Sequence, residues 1–212
     1  MTDDLAPSLL RDSPAPRRFP ELPVCRYPAR VEHHEPFELV SDRFRLREAT
    51  ADDLEDVLSV FRSNPEFLSL RDNVSATAGG YDQTSVKHYW ELATLDPQRH
   101  VMLVVETATG AAVGLVDFVD QSPFDGLPWI GLVMIHRRCQ RRGAGTEALN
   151  GVATHLASQG SPAVRMGVFQ SNEAGLELAR RCGFEPYGSA QAPTLETAQE
   201  VVLLELVMED VP

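Results

Sequence analysis

A glycine-rich run at residues 140–146, QRRGAGT, carries the most informative chemistry of the chain. It lies between a strand-like segment, residues 129–136, and a helix-like segment, residues 146–158. Gly143 and Gly145 permit a tight turn at the start of a helix, where unpaired N–H groups and the helix dipole favour an anion. Two adjacent arginines add positive charge. We therefore predict that this glycine loop (residues 140–146) binds the phosphates of a cofactor.

The two glycines alone do not decide between a phosphate site and an ordinary tight turn. A P-loop needs the pattern Gly-x-x-x-x-Gly-Lys-Ser/Thr, which the chain lacks. A dinucleotide fingerprint needs a third glycine three residues after the second, and Ala148 stands there. These two classes of phosphate site are excluded.

Two motifs in the chain resemble those of the GNAT superfamily of N-acetyltransferases. Residues 140–145 match its signature Gln/Arg-x-x-Gly-x-Gly/Ala, and residues 129–136 look like the strand that precedes it. Residues 172–184 resemble its Asn-x-x-Ala-x-x-x-Tyr-x-x-x-Gly-Phe helix. The resemblance covers residues 42–208.

The resemblance implies a mixed sheet of six or seven strands that splays in the middle and holds acetyl-CoA in the gap. The glycine loop would take the pyrophosphate, and the backbone of the preceding strand, whose side chains also suit an apolar core, would pair with the cofactor arm. Asn172 would contact that arm, although an asparagine there also suits a helix N-cap. The cofactor-binding residues implied in this way are Val133, Ile135, Gln140, Arg141, Arg142, Gly143, Ala144, Gly145, Thr146 and Asn172.

The catalytic groups depart from the family pattern. The resemblance implies direct attack in a ternary complex, which needs a base for the amine and an acid for the thiolate. Ala179 stands where many members have a tyrosine, and the strand before the glycine loop holds no carboxylate. Asp117, inside an otherwise apolar strand, is either the base, a substrate anchor or a structurally paired or solvent-facing carboxylate. His136 is either a base or an ordinary loop-edge histidine, and Tyr187 is either a substitute acid or an ordinary tyrosine.

The net charge and the cysteine content restrict the class of protein. The chain has 212 residues and a formal charge of −12. This charge disfavours nucleic acid and favours cationic or amine substrates, although it also serves solubility alone. No apolar run reaches the length of a membrane span and no signal peptide opens the chain, so no membrane partner is expected. Three scattered cysteines fit neither a disulfide framework nor a zinc site, so we expect a reducing cytoplasm and no metal.

The elements that must position these residues alternate between strand and helix, which predicts a mixed α/β class. Apolar runs and alternation predict strands over residues 43–48, 101–106, 112–119, 129–136, 163–169, 184–187 and 201–208. Helical stripes predict helices over residues 54–61, 85–95, 146–158 and 172–182. Thr50 and Asp53 resemble a capping box at the first helix. Residues 1–40 are predicted to be a proline-rich arm and residues 41–212 an acetyltransferase domain.

These features together predict an acetyl-CoA-dependent N-acetyltransferase that modifies a primary amine of a small molecule or protein. One alternative is a CoA-binding sensor or interaction module without turnover, which Ala179 favours. A second alternative is an acyltransferase that uses another acyl-CoA. The resemblance also leaves a homodimer open, because members of the superfamily often pair.

Overall fold

The computed structural model describes residues 37–72, 81–192 and 198–208. Within them strands and helices alternate, which confirms the mixed α/β class. The strands are β1 (Glu38–Val40), β2 (Phe44–Glu48), β3 (Arg99–Glu106), β4 (Ala112–Val119), β5 (Trp129–Ile135), β6 (Ala163–Phe169), β7 (Glu185–Ala192) and β8 (Gln199–Val207). The α-helices are α1 (Leu54–Arg62), α2 (Pro65–Asp72), α3 (Gln83–Thr94), α4 (Ala144–Ser158) and α5 (Glu173–Arg181).

The strands form one sheet in the order β1-β2-β3-β4-β5-β6-β8-β7. Every neighbouring pair is antiparallel except β5 and β6, which are parallel. The sheet has eight strands rather than six or seven because residues 38–40, within the predicted arm, pair with β2. Three residues are too few to show an alternating pattern, so the sequence did not reveal this edge strand. Residues 1–36 lie outside the described residues, and the boundary of the arm stays a prediction.

The first two helices are separated by residues 63–64. A short 3₁₀ turn, Ala51–Asp53, leads into α1, and the Thr50 N–H donates to Asp53 Oδ2 at 2.7 Å, as a capping residue should. α1 ends at Arg62, and α2 begins at Pro65, a position that tolerates proline because its N–H would be unpaired there anyway. α2 lies in a segment that the sequence pattern left unassigned.

Hydrophobic cores form on both faces of the sheet. On one face α4 buries Leu149, Val152 and Leu156, and on the other face α1 and α3 bury Phe61 and Val86. Each such side chain contributes about 1.5–3 kcal/mol when it is fully removed from water. In the part of the chain that the structure describes, no helix combines the length and apolar character needed to cross a membrane.

One buried histidine contacts two carboxylates inside the fold. His100, 4% exposed, contacts Glu48 through Nδ1 and Asp120 through Nε2, each at 2.9 Å. Burial by itself lowers the pKa of His100, but the hydrogen bonds with Asp120 and Glu48 outweigh burial, so the pKa is raised. The His100 ring therefore links the ends of β2, β3 and β4.

Candidate functional site

The sheet splits between its two parallel strands. β5 and β6 pair at Trp129 with Arg165 and at Ile130 with Met166, and the pairing ends there. Further along β5, the His136 N–H donates to the Val113 carbonyl on β4 at 2.8 Å. Backbone groups alternate between the two edges of a strand, so those of Ile135 and Val133 are directed into the gap.

The split opens into a cleft of about 550 Å³. It is bounded by the second half of β5, the glycine loop, the first turns of α4 and α5, and part of α2. Eight of the ten predicted cofactor residues line it: Val133, Ile135, Gln140, Arg141, Gly143, Gly145, Thr146 and Asn172. The other two do not line the cleft: Ala144 is buried in the core, and Arg142 is exposed to solvent elsewhere.

The N-terminus of α4 borders the cleft and presents N–H groups that the helix itself does not pair. The first intrahelical bond runs from the Glu147 N–H to the Gly143 carbonyl, so the N–H groups of the preceding helical residues have no partner within the helix. Gly143 adopts φ +88°, a left-handed conformation that side chains disfavour. A Cβ there would also lie 2.7 Å from Arg43 Nη2. The glycine loop therefore has the backbone conformation of an anion cradle.

A distant arginine holds the glycine loop in place. Arg43 donates from Nη1 to the Arg142 carbonyl at 2.9 Å and from Nε to Glu147 Oε1 at 2.8 Å. Ser41 Oγ donates to the other oxygen of Glu147 at 2.9 Å. Glu147 would otherwise repel a phosphate at the first turn of α4, so its pairing with Arg43 favours an anion site. The role of Arg43 could not be predicted from the sequence, since no local pattern links residues about a hundred positions apart.

The cleft lining combines three arginines with three glutamates, Glu66, Glu173 and Glu177. The arginines are Arg137, Arg141 and Arg181. Arg137 pairs with Glu66 at 2.7 Å and Arg181 with Glu177 at 3.2 Å. Among the described residues Arg141 has no ion-pair partner within salt-bridge distance, and it adopts φ +61°, which is uncommon for a residue other than glycine. Arg141 is thus the lining arginine best able to pair with a phosphate.

Two predicted cofactor residues make contacts within the protein. The Gln140 amide donates to Asn64 Oδ1 at 2.7 Å and to the Ile135 carbonyl at 3.0 Å. Asn172 caps α5, where its Oδ1 accepts from the Gly175 N–H at 3.0 Å. The N-cap alternative for Asn172 is therefore observed, and its contact with a cofactor stays a prediction.

Asp117 forms the structural pairing that the sequence analysis left open. Its carboxylate is 5% exposed and accepts from Arg99 Nε at 2.9 Å and Nη2 at 2.6 Å. The Tyr89 hydroxyl donates to it at 2.5 Å. These three bonds occupy lone pairs that a base would need, and Asp117 does not line the cleft. Its role as base or substrate anchor stays a prediction.

The other two catalytic candidates also lie outside the lining of the cleft. His136 Nδ1 accepts from the Arg138 N–H at 3.3 Å, and burial together with the charge of Arg138 lowers the pKa of His136. Tyr187 is 41% exposed on β7, where the Arg165 guanidinium lies 4.6 Å from its ring centroid. Their catalytic roles stay predictions. Ala179 is fully buried in α5 and offers no proton donor.

Three solved structures show the same fold at low sequence identity. An acetyltransferase from Salmonella typhimurium that modifies the N-terminal serine of ribosomal protein L7/L12 is 17% identical, with a TM-score of 0.66 over 80% of this chain and 97% of that one. Spermidine N-acetyltransferase from Vibrio cholerae, solved with CoA and spermine, is 14% identical, with a TM-score of 0.62 over 79% and 96%. The microcin C7 self-immunity acetyltransferase, solved with acetyl-CoA and AMP, is 16% identical, with a TM-score of 0.66 over 79% and 94%.

Sequence comparison identifies the family. No curated protein matches the chain in a sequence search. The acetyltransferase (GNAT) domain pattern matches residues 43–185, which is more than half of the chain and includes β5 and the glycine loop. The resemblance seen in the two sequence motifs is thereby confirmed, and the chain belongs to the GNAT acetyltransferase family.

Proposed function

We propose that this protein transfers the acetyl group of acetyl-CoA to a primary amine of a small molecule or a protein, by direct attack in a ternary complex. The observation that carries the proposal is the split between β5 and β6 beside the open N-terminus of α4. An anion and an extended amide-bearing arm would bind side by side there, on helix donors and on strand backbone.

The chain's own groups define how the cofactor would lie. The N–H groups at the start of α4, with Arg141, would hold the pyrophosphate. Val133 would offer its N–H and carbonyl to the arm, whereas Ile135 would offer its N–H, since its carbonyl already accepts from Gln140 at 3.0 Å. The reactive end of the arm would then point towards Ile130, where the two strands join.

The acceptor is proposed at the level of a primary amine. The structural relatives act on a protein N-terminus in one case and on spermidine in another, so the fold serves both kinds of acceptor. The formal charge of −12 favours a cationic amine over an anionic one. Cys139 and Cys182 are free thiols, in keeping with the reducing cytoplasm that we propose as the location.

Proton transfer in this proposal does not require one fixed group. The candidates to accept the amine proton are Asp117 and His136, and the candidate to protonate the departing thiolate is Tyr187; since none of them lines the cleft, each would act through water. A thiol has an unperturbed pKa of about 8.5, so water can also protonate the thiolate near neutral pH.

Two measurements on the full chain test the proposal. Calorimetry should show acetyl-CoA binding, and a thiol-release assay should show CoA production with an amine panel that includes spermidine and an N-terminal serine peptide. Gly143→Val, which crowds the turn, serves as the control without a cofactor site. Binding without CoA release on any amine would favour the sensor alternative, and faster release from succinyl-CoA would favour another acyl group. No binding by the wild type would reject the proposal.

A further inference from the structure

A buried amide lies at the junction between α1 and α2. Asn64 is 8% exposed, and its Nδ2 donates to the Val60 carbonyl at 2.9 Å, which ties it to the end of α1. The same nitrogen lies 3.2 Å from the Ile135 carbonyl at the end of β5. A buried amide side chain stays in place only where its donors and acceptor are satisfied.

The remaining acceptor of Asn64 is satisfied by the glycine loop. Gln140, the first residue of the loop, donates from Nε2 to Asn64 Oδ1 at 2.7 Å and to the Ile135 carbonyl at 3.0 Å. The two amides therefore form a closed triangle with one backbone carbonyl. In an unsplit sheet that carbonyl would pair with the next strand, so the two side chains replace the missing strand at this position.

Two further contacts fasten the same junction to the segment before the loop. The Arg137 N–H donates to Ser63 Oγ at 3.1 Å, and the Arg137 guanidinium pairs with Glu66 at 2.7 Å. The Arg137–Glu66 pair is exposed to solvent, which screens it, so it contributes little to stability. The Asn64 triangle is partly buried, so we expect it to be the stronger link between the loop and the two helices.

We infer that Asn64 is a positioning residue for the acetyl-CoA site and acts through Gln140. The triangle fixes the glycine loop against β5, so the α4 donors and the β5 backbone keep the relative placement needed to hold the pyrophosphate and the arm together. It also occupies the Ile135 carbonyl, leaving the N–H of that residue for the cofactor. The inference rests on the proposed function, because it assumes that the cleft binds acetyl-CoA.

A double-mutant cycle with Asn64→Ala, Gln140→Ala and the double variant tests this link. Acetyl-CoA affinity is measured by calorimetry at a temperature where circular dichroism shows each protein folded. Each single variant should bind about tenfold more weakly, the loss expected for about 1.4 kcal/mol. The double variant should bind no more weakly than the weaker single variant, because the two amides act as one unit. In Asn64→Ala the turnover number at saturating acetyl-CoA should stay within about twofold of wild type, because a positioning residue affects cofactor binding rather than the chemical step.

The control is Gln159→Ala. That glutamine contacts His155 at 3.0 Å at the opposite end of α4, so its loss removes an exposed amide without touching the cleft. It should bind acetyl-CoA as the wild type does. Gln140 is exposed, so Gln140→Ala tests the same link if Asn64→Ala fails to fold.

Three results would overturn the inference. Unchanged affinity with a lowered melting temperature would mean that Asn64 supports the helix junction alone. A loss in the double variant equal to the product of the two single losses would mean that the residues act independently. No acetyl-CoA binding by the wild type would reject the proposed function and this inference with it, whereas wild-type binding with unchanged variants rejects the inference only.

Discussion

The two glycines of the loop should differ in their tolerance of the same added methyl group. Gly143 has φ +88°, and a Cβ there would lie 2.7 Å from Arg43 Nη2. Gly145 is helical, and a Cβ there would meet Leu178 at 3.3 Å and Ile135 at 3.5 Å. The family signature also allows alanine at this second position. Gly143→Ala and Gly145→Ala are therefore a matched pair.

The magnitudes follow from these geometries. A left-handed residue with a Cβ costs about 1–2 kcal/mol, so Gly143→Ala should lower the free energy of unfolding by at least that amount. Arg43 would also have to move, which loosens its bonds to the Arg142 carbonyl and Glu147. Gly145→Ala gains up to about 1 kcal/mol of helix propensity and loses part of it to the close Leu178 contact, so its stability should stay within about 1 kcal/mol of wild type.

Affinity for acetyl-CoA should separate the pair more sharply than stability does. A hydrogen bond to a charged group contributes about 1.5–3 kcal/mol, so misdirecting one α4 donor in Gly143→Ala should weaken binding at least about tenfold. Gly145→Ala should bind within a few-fold of wild type. Urea unfolding and calorimetry on both variants provide the two readouts. Wild-type affinity in Gly143→Ala would refute the assignment of the glycine loop as an anion cradle.

Three other substitutions address charged groups of the fold. Hydrogen bonds from Arg47 at 2.8 and 2.7 Å hold the pKa of Asp53 at about 2. Asp53→Asn should therefore lower the free energy of unfolding at pH 7 by about 2 kcal/mol. Urea titrations should show that this difference from wild type vanishes as the pH falls through about 2. Because the pKa of His100 is raised on folding, the stability that His100 contributes is complete below about pH 6.5 and is lost as the pH rises through its folded-state pKa. His100→Gln should abolish this decline in the free energy of unfolding. A decline that persists in the variant would contradict its assignment to His100. Asp117→Asn leaves Arg99 without its anionic partner and should cost about 1–3 kcal/mol of stability. If Asp117 is the base, the turnover number of this variant should fall more than its affinity for acetyl-CoA. Full turnover in the folded variant would exclude that role.

Local patterns predicted most of the fold. The apolar stripe of α4 and the alternation in β2 depend on residues a few positions apart, which the sequence shows directly. β7 proved longer than predicted, Glu185–Ala192 rather than residues 184–187, because an edge strand with Gly188 and Ser189 has little apolar alternation to reveal it. β1 was missed for a related reason, since it has three residues.

Contacts between distant parts of the chain account for what the sequence could not predict at the site. Arg43 reaches Glu147, and Asn64 reaches Gln140, across long separations that no spacing rule encodes. Asp117 is an intermediate case. A structural partner was one of several alternatives for a carboxylate within an apolar strand, and the sequence did not indicate that Arg99 and Tyr89 would supply it.

The melting temperature with and without saturating acetyl-CoA tests the central claim most directly. Ligand at about 100 times its dissociation constant stabilises a protein by about 2.7 kcal/mol. For a domain of this size the account predicts a rise of about 5–10 °C in the wild type and a much smaller one in Gly143→Val. If acetyl-CoA leaves the melting temperature of the wild type unchanged and calorimetry detects no binding, the claim that the cleft between β5 and β6 binds acetyl-CoA is contradicted.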